Sequence, residues 1–342
     1  RFGVPVVLVE KGPMGGDCLN FGCVPSKALI AAAKAAEHQR HASAFGIADV
    51  VPDIDFAGVS RHVRETIEAI APNDSVERFT GLGVQVIQGE ARFKDERAVV
   101  VDAHEGMYEI RARRFVVATG SSPFIPEIAG LEETGYLTNE TIFELTVLPP
   151  RLVVIGGGPV GMELAQAYRR LGAEVTVLEA ASVLAGEDPE LAAVVLGALR
   201  REGVTVHEKA RVVGVERKAE NSLQVRAETE RGSLSIEGTH LLIAAGRSPN
   251  VDDLDLAKAG IAFDRNGIKV SRTLRTTNRR VYAIGDVAGG PQFTHRANYH
   301  AGLVLRALLF RLPARENRPI VPRVTYTEPE LAHVGLTEEE AG

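Results

Sequence analysis

Apolar residues along this chain follow two different periods, and the switches between them mark out its elements. β-branched or alternating apolar runs predict strands at residues 4–9, 84–88, 98–101, 108–110, 115–118, 152–155, 174–178, 240–244 and 281–284. Helical stretches are predicted at residues 24–45, alanine-rich with Pro25 at their start, and at 56–71, closed by Pro72. Further helices are predicted at 159–171, 189–201 and 294–309. Gly-Pro-Met-Gly-Gly at 12–16 reads as a loop leading into Asp17 and Cys18. From residue 152 strand and helix alternate, which predicts an α/β fold with a parallel sheet covered by helices. Pro149-Pro150 separates this half from the first, a second interruption falls near Thr276, and a new element opens at Val321.

A length of 342 residues predicts two or three domains. Apolar residues at 45% and charged residues at 25% are the balance of a folded globular chain. The net charge is −6 and the basic residues are dispersed, so no nucleic-acid partner is expected. No apolar run approaches the ~20 residues that a membrane helix needs, so no membrane partner is expected. The whole chain has only two cysteines, Cys18 and Cys23. That is a poor framework for a secreted protein and suits a cytoplasmic chain with a redox or metal role.

Gly156-Gly157-Gly158-Pro159-Val160-Gly161 reads as G-x-G-x-x-G. Alone the pattern is weak, and a tight turn without a ligand would also produce it. Here it follows an apolar strand, opens a helix, and precedes Glu179 at the end of the next strand, which is the layout of a dinucleotide site. The glycines let the backbone approach a pyrophosphate, and the helix N-terminus supplies N–H groups and positive partial charge. Pro159 in the first turn costs no hydrogen bond. Glu179 can accept from both ribose hydroxyls, and Ala180-Ala181-Ser182 offers no arginine to a 2′-phosphate, so NADH is expected over NADPH. The opening strand also ends in an acid, Glu10. On that segment alone, a second nucleotide-binding unit and an ordinary surface glutamate are equally good readings.

The cysteines form C-x₄-C, which is too few thiolates for a structural zinc site. The string Gly15-Gly16-Asp17-Cys18-Leu19-Asn20-Phe21-Gly22-Cys23-Val24-Pro25-Ser26-Lys27 resembles the active-site segment of the class I pyridine nucleotide–disulfide oxidoreductases. That family includes dihydrolipoamide dehydrogenase, mercuric reductase and glutathione reductase. The resemblance extends over essentially the whole chain. Ala118-Thr119-Gly120, Gly246-Arg247-Ser248-Pro249-Asn250, Val281-Tyr282-Ala283-Ile284-Gly285-Asp286 and Val324-Thr325-Tyr326-Thr327-Glu328-Pro329-Glu330 are each similar to a family motif.

The resemblance implies two Rossmann-like dinucleotide-binding domains, for FAD and NAD, followed by the start of an α+β interface domain. It divides the chain into a flavin domain at 1–149, a nucleotide domain at 150–274, a second flavin or central part at 275–320 and a dimerisation segment at 321–342. It places the first flavin glycine loop before Arg1 and the rest of the interface domain beyond Gly342. It implies an enzyme that carries electrons from NADH through FAD to Cys18 and Cys23 and on to a small-molecule or protein-bound disulfide, working as a homodimer. Catalytic roles fall to Cys18, Cys23, Lys27 and Glu163. By resemblance Cys23 is the thiolate nearest the flavin, Cys18 meets the substrate, and Lys27 pairs with Glu163. Cys23 just before a helix starting near Val24 agrees with this, because that position lowers a thiol pKa.

Implied FAD contacts are Glu10, Lys11, Gly15, Gly16, Asp17, Cys18, Lys27, Ala91, Thr119, Gly120, Asp286, Phe293 and Thr294. Implied NAD contacts are Gly156, Gly158, Pro159, Val160, Gly161, Glu163, Glu179, Val212 and Gly246. No metal site is expected. Asp17 departs from the family's threonine or serine, and its carboxylate is expected to raise the Cys18 thiol pKa. Pro159 stands where some relatives place a tyrosine gate. His295 and His300 read as packing or surface residues. The leading expectation is a dihydrolipoamide dehydrogenase-like enzyme. The alternatives are a mercuric reductase and, in another class, a catalytically idle nucleotide-binding redox sensor.

Overall fold

The structure, a computed structural model, describes residues 3–341. The first two residues of the expected flavin domain and Gly342 of the expected interface segment lie outside the described residues. Its helices are α1 (Gly16–Asn20), α2 (Cys23–Arg40), α3 (Phe56–Ile70), α4 (Val76–Gly81), α5 (Leu131–Thr134), α6 (Pro159–Arg170), α7 (Pro189–Arg201), α8 (Thr294–Phe310) and α9 (Glu338–Ala341). The chain gathers into two compact units of three segments each. The first takes Arg1–Cys18, Ile70–Ser122 and Arg247–Val321, and the second Leu19–Ala69, Pro123–Gly246 and Pro322–Gly342.

In the first unit, strand Val6–Glu10 runs parallel to the opening half of strand Val84–Asp95, with Val6 beside Val84 and Glu10 beside Gln88. The other half of that long strand pairs antiparallel with Ala98–Ala103, which pairs in turn with Gly106–Arg111. The pattern alone placed the end of the long strand at residue 88. It runs on to Asp95 because it changes partners near Gly89, where an added Cβ would lie 2.5 Å from the Asp102 carbonyl oxygen. A separate parallel pair joins Phe115–Val117 to Val281–Ala283. Phe93, Val101, Val117, Leu256, Val281 and Val287 form the core beneath these strands.

The second unit holds a parallel sheet in the order His240–Ile243, Arg151–Ile155, Glu174–Leu178, Thr205–His207. This confirms the alternating strand–helix pattern and the α/β, Rossmann-like class. Of these four strands the earliest in the chain, Arg151–Ile155, lies inside the sheet with later strands on both sides. A topological switch point therefore sits at its carboxyl end, where the Gly156–Gly161 turn begins. Continuous apolar runs suit strands buried on both faces. Leu152, Val154, Val175, Val177, Met162 and Tyr168 make that core, and Ala28, Leu29 and Ala33 of α2 join it. An antiparallel meander, Arg211–Ala219, Ser222–Thr229 and Gly232–Gly238, was not expected from the pattern. Only one of its faces is apolar, through Val215, Leu223, Val225 and Ala227, and the other mixes uncharged polar residues with charged ones, such as Gln224, Arg226 and Glu228.

The cysteine segment also differs from expectation. The expected loop ends at Gly15, so that Cys18 lies on the short helix α1, and α2 begins at Cys23 itself with Gly22 as its N-cap. Pro25 sits at the third helical position, still among the first-turn residues whose N–H groups have no intrahelical partner. The helix can therefore start before it. α2 stops at Arg40 instead of 45, and a 3-10 turn at Ala42–Phe45 follows. Asp49 holds that turn by accepting from the Ser43 N–H at 2.6 Å and its hydroxyl at 2.8 Å. Among the described residues, no helix is long and apolar enough to cross a membrane and no His/Cys/Asp/Glu group is arranged to hold a metal.

Candidate active site

In the second unit the glycine turn is shaped by close packing. An added Cβ on Gly156 (φ +116°) would run into the Ala244 carbonyl oxygen, and one on Gly161 into the carbonyl oxygen of Gly156. One on Gly158 would meet nothing within 4 Å. Gly158 is the N-cap of α6 and makes no side-chain capping bond, so the helix presents bare backbone to that open space. Pro159 and Val160 follow at its first positions, Val160 exposed. Glu179 reaches back to this turn. Its Oε2 accepts from the Gly157 N–H and its Oε1 from the Ala181 N–H, both at 2.7 Å. Two backbone donors fix the carboxylate and leave acceptor capacity for hydroxyl groups. Val212 is half-buried on its meander strand, and Gly246 is exposed at φ +112° with open space above it.

α2 packs on α6, and the two helices share the Lys27–Glu163 pair. Lys27 Nζ stands 2.9 Å from Glu163 Oε2 and lies 4.2 Å from the centre of the Tyr326 ring. Glu163 Oε1 accepts from the Tyr326 N–H at 2.9 Å, and Glu163 is only 7% exposed. A burial of that degree makes the carboxylate dependent on its partners. One and two turns further along α6, Gln166 and Arg170 continue the arrangement. Gln166 Oε1 accepts from the Glu328 N–H at 2.8 Å and its Nε2 donates to the Glu328 carbonyl at 2.9 Å. Arg170 binds Glu202 and Glu328, each at 2.7 Å. Burial raises the Glu328 pKa, but Arg170 and Lys34 outweigh it and hold that pKa low. Sequence reasoning named Tyr326 and Glu328 only within a family motif and gave neither them nor Gln166 and Arg170 a part in this cluster. The available signal was three polar residues at helical spacing on the face of α6 expected to be buried.

In the first unit, Glu10 ends its strand and its Oε1 accepts from the Gly12 N–H at 2.8 Å, while Lys11 faces Glu90 at 3.6 Å. Gly15 and Gly16 take φ of +90° and +59°, and an added Cβ on Gly16 or Gly120 meets nothing within 4 Å. Ala91 packs against the core from the long strand. Thr119 Oγ1 donates to the Asn250 carbonyl at 2.8 Å. Asp286 Oδ2 accepts from Ser121 Oγ at 2.7 Å. Phe293 is the N-cap of α8, ahead of Thr294, and its ring stacks on His295 at 5.3 Å. His295 is exposed and His300 fully buried, so the surface reading holds for one and the packing reading for the other.

Cys18 is half-buried and Cys23 exposed at the first position of α2. Asp17 has an arginine partner that the sequence pattern did not show. Arg247 Nη2 stands 3.0 Å from Asp17 Oδ1, and Arg247 Nε donates to Ser121 Oγ at 2.7 Å. The guanidinium offsets the carboxylate that was expected to act on Cys18. Asp17→Asn should therefore speed alkylation of Cys18 by iodoacetamide and Arg247→Gln should slow it, each by about threefold for a pair open to solvent mainly on its Asp17 side. The double variant should return near the wild-type rate. Two single variants moving the same way in a mass-spectrometric rate assay would contradict this compensation.

The model of one protein family, described as pyridine nucleotide-disulphide oxidoreductase, matches residues 1–301. The chain belongs to that family. The pyridine nucleotide-disulphide oxidoreductases use a flavin and a pyridine nucleotide. The open glycine backbone at Gly16, Gly120 and Gly158, with the fixed carboxylates of Asp286 and Glu179, fits both groups. Mercuric reductase from Lysinibacillus sphaericus is 36% identical over all of this chain and 62% of its own length. Dihydrolipoyl dehydrogenase from Geobacillus stearothermophilus is 34% identical over all of this chain and 72% of its own. The chain thus spans about three fifths of the first of these relatives. The HOCl-induced flavoprotein disulfide reductase RclA from Escherichia coli has a similar structure, with a TM-score of 0.85 and 31% identity. The match covers 99% of this chain and 74% of RclA.

Proposed function

We propose that this protein is an NADH:disulfide oxidoreductase of the dihydrolipoamide dehydrogenase kind. The observation that carries the reading is the docking of α2 on α6. Cys23 opens the helix whose next turn holds Lys27, and Lys27 is paired with Glu163 on the helix that opens at the nucleotide glycines. Gly156, Gly158, Pro159, Val160, Gly161, Glu163, Glu179, Val212 and Gly246 hold NADH. Glu10, Lys11, Gly15, Gly16, Asp17, Ala91, Thr119, Gly120, Asp286, Phe293 and Thr294 hold FAD, together with Cys18 and Lys27. Bound there, the flavin supplies two-electron transfer between nicotinamide and dithiol.

The chain's own groups do the rest. Residues 1–149 and 275–320 serve the flavin, 150–274 the nucleotide and 321–342 the interface of a cytoplasmic homodimer. Two electrons and one proton, the equivalents of one hydride from NADH, convert a Cys18–Cys23 disulfide to a thiol and a thiolate. Cys18 then attacks the substrate disulfide, expelling one thiolate, and Cys23 resolves the mixed disulfide and expels the other.

Mercuric reduction is a second reading, favoured by the 36% identity to mercuric reductases from several bacteria. NADH oxidation measured with lipoamide, glutathione disulfide and Hg(II) separates the two. The leading reading expects turnover with a disulfide, and turnover with Hg(II) alone would replace it. Cofactor choice is tested on the same assay. NADH should exceed NADPH in kcat/KM, and Glu179→Ala should narrow the gap by about tenfold, the value of a charge-assisted hydrogen-bond pair. A wild-type preference for NADPH would contradict the role given to Glu179.

A further inference from the structure

Helix α8 and Glu316 in the segment that follows it form a charged cluster in the interior of the first unit that the dithiol chemistry does not use. Arg296, His300 and Glu316 are 1%, 0% and 4% exposed. Glu316 Oε1 accepts from Arg296 Nε at 3.0 Å and Nη2 at 2.9 Å, and it lies 2.8 Å from His300 Nε2. Its Oε2 accepts from Arg318 Nε at 3.1 Å. The other ends of these side chains hold backbone. Arg296 Nη1 donates to the carbonyl oxygens of Gly289 at 2.6 Å and Pro291 at 2.8 Å. The Gly285 N–H donates to His300 Nδ1 at 3.2 Å. With Nδ1 accepting, a neutral imidazole carries its proton on Nε2, directed at Glu316.

The backbone gripped in this way is the turn that bears Asp286. Gly285, Gly289 and Gly290 have φ of +69°, +68° and +81°, the left-handed region that glycine reaches without steric cost. A turn with three such glycines has much conformational freedom to lose, so its shape depends on bonds from outside. The cluster binds it at Gly285, before the aspartate, and at Gly289 and Pro291, after it. A buried ion pair is seldom more stabilising than apolar side chains of the same volume. What the guanidinium and imidazole add here is direction, which three backbone groups of one turn exploit.

We propose that Glu316, acting through Arg296 and His300, is a positioning device that pre-forms the Gly285–Gly290 turn so that Asp286 presents its carboxylate to the flavin. This rests on the reading of Asp286 as a flavin-binding residue. His300 and Arg296 touch the turn, not the flavin, so neither is a catalytic residue. Burial opposes ionisation of Glu316, but His300 and Arg296 outweigh it, which keeps the hub of the cluster charged.

Two measurements on the full chain test the proposal. In flavin-free wild-type protein, amide exchange at residues 285–290 should already be slow, within about threefold of the FAD-loaded rate. Fast exchange that slows only on loading would overturn pre-formation. The second measurement is FAD affinity by fluorescence titration of the flavin-free protein. His300→Asn keeps an acceptor at the Nδ1 position and should stay within about threefold of wild type. His300→Gln moves the amide to the Nε2 position, leaves the Gly285 N–H without its acceptor, and should weaken FAD by about tenfold. NADH binding should be unchanged in both variants. Equal affinities for the two would overturn the role of His300. Asp286→Ala is the control for the underlying reading. If it leaves FAD affinity unchanged, that reading fails. If it weakens FAD while the His300 variants do not differ, only the positioning proposal fails.

Discussion

Replacing Cys23 with serine should lower NADH-driven disulfide reduction by about a thousandfold or more, the scale of losing a covalent nucleophile. The two cysteines should differ in spectrum. Two-electron reduction of the Cys18→Ser protein should still give the long-wavelength band of a thiolate beside a flavin, and the Cys23→Ser protein should lack it. The physical reason is the place of each sulfur in the chain. Cys23 is the first residue of an 18-residue helix with no acidic residue in its first turn. The positive end of the helix dipole therefore favours its thiolate. Cys18 lies inside a helix of only five residues, where no comparable dipole acts, and the Asp17 carboxylate beside it is offset by Arg247. Retention of the band in both variants would reverse the roles assigned to the two thiols.

Glu316→Gln should destabilise the protein at pH 7 by on the order of 3 kcal/mol, and the deficit should close as the solution is acidified. Burial pushes the Glu316 pKa up, but hydrogen bonds from His300 and Arg296 outweigh it and bring it from 4.5 to about 2. A folded-state pKa below the unfolded one contributes stability that is complete above about pH 4.5 and is lost as pH falls towards 2. The glutamine variant lacks that contribution at every pH. Urea unfolding of both proteins between pH 7 and pH 2.5 measures the difference. A gap that stays constant across that range would show that the charge of Glu316 is not what stabilises the cluster.

Much of this molecule was legible one residue after another. The strand–glycine turn–helix unit at Arg151–Arg170 needs only neighbouring residues to declare itself, and the parallel sheet follows from continuous apolar runs. The cysteine segment was equally local, except that the helix starts at Cys23 and not after it. The long strand Val84–Asp95 was read short because its continuation depends on a second partner strand. The meander at 211–238 left only a one-sided alternation diluted by charged positions.

The family, the glycine turn with its acid at Glu179, and the candidate dithiol were all readable along the chain, because each is a short string whose spacing carries the pattern. Charge pairs outside the motifs came from the fold. Asp17 and Arg247 are 230 positions apart and nothing in the string joined them, whereas Lys27 and Glu163, 136 apart, were paired beforehand only through the family resemblance. No local period relates such residues. Their pairing follows from how α2 packs on α6 and from how the strand ends bring Arg247 beside Ser121. Burial was likewise invisible in the string. His295 and His300 lie five positions apart on one helix, yet one faces solvent and the other is enclosed with Glu316. Which face of α8 is covered depends on chain segments distant in sequence.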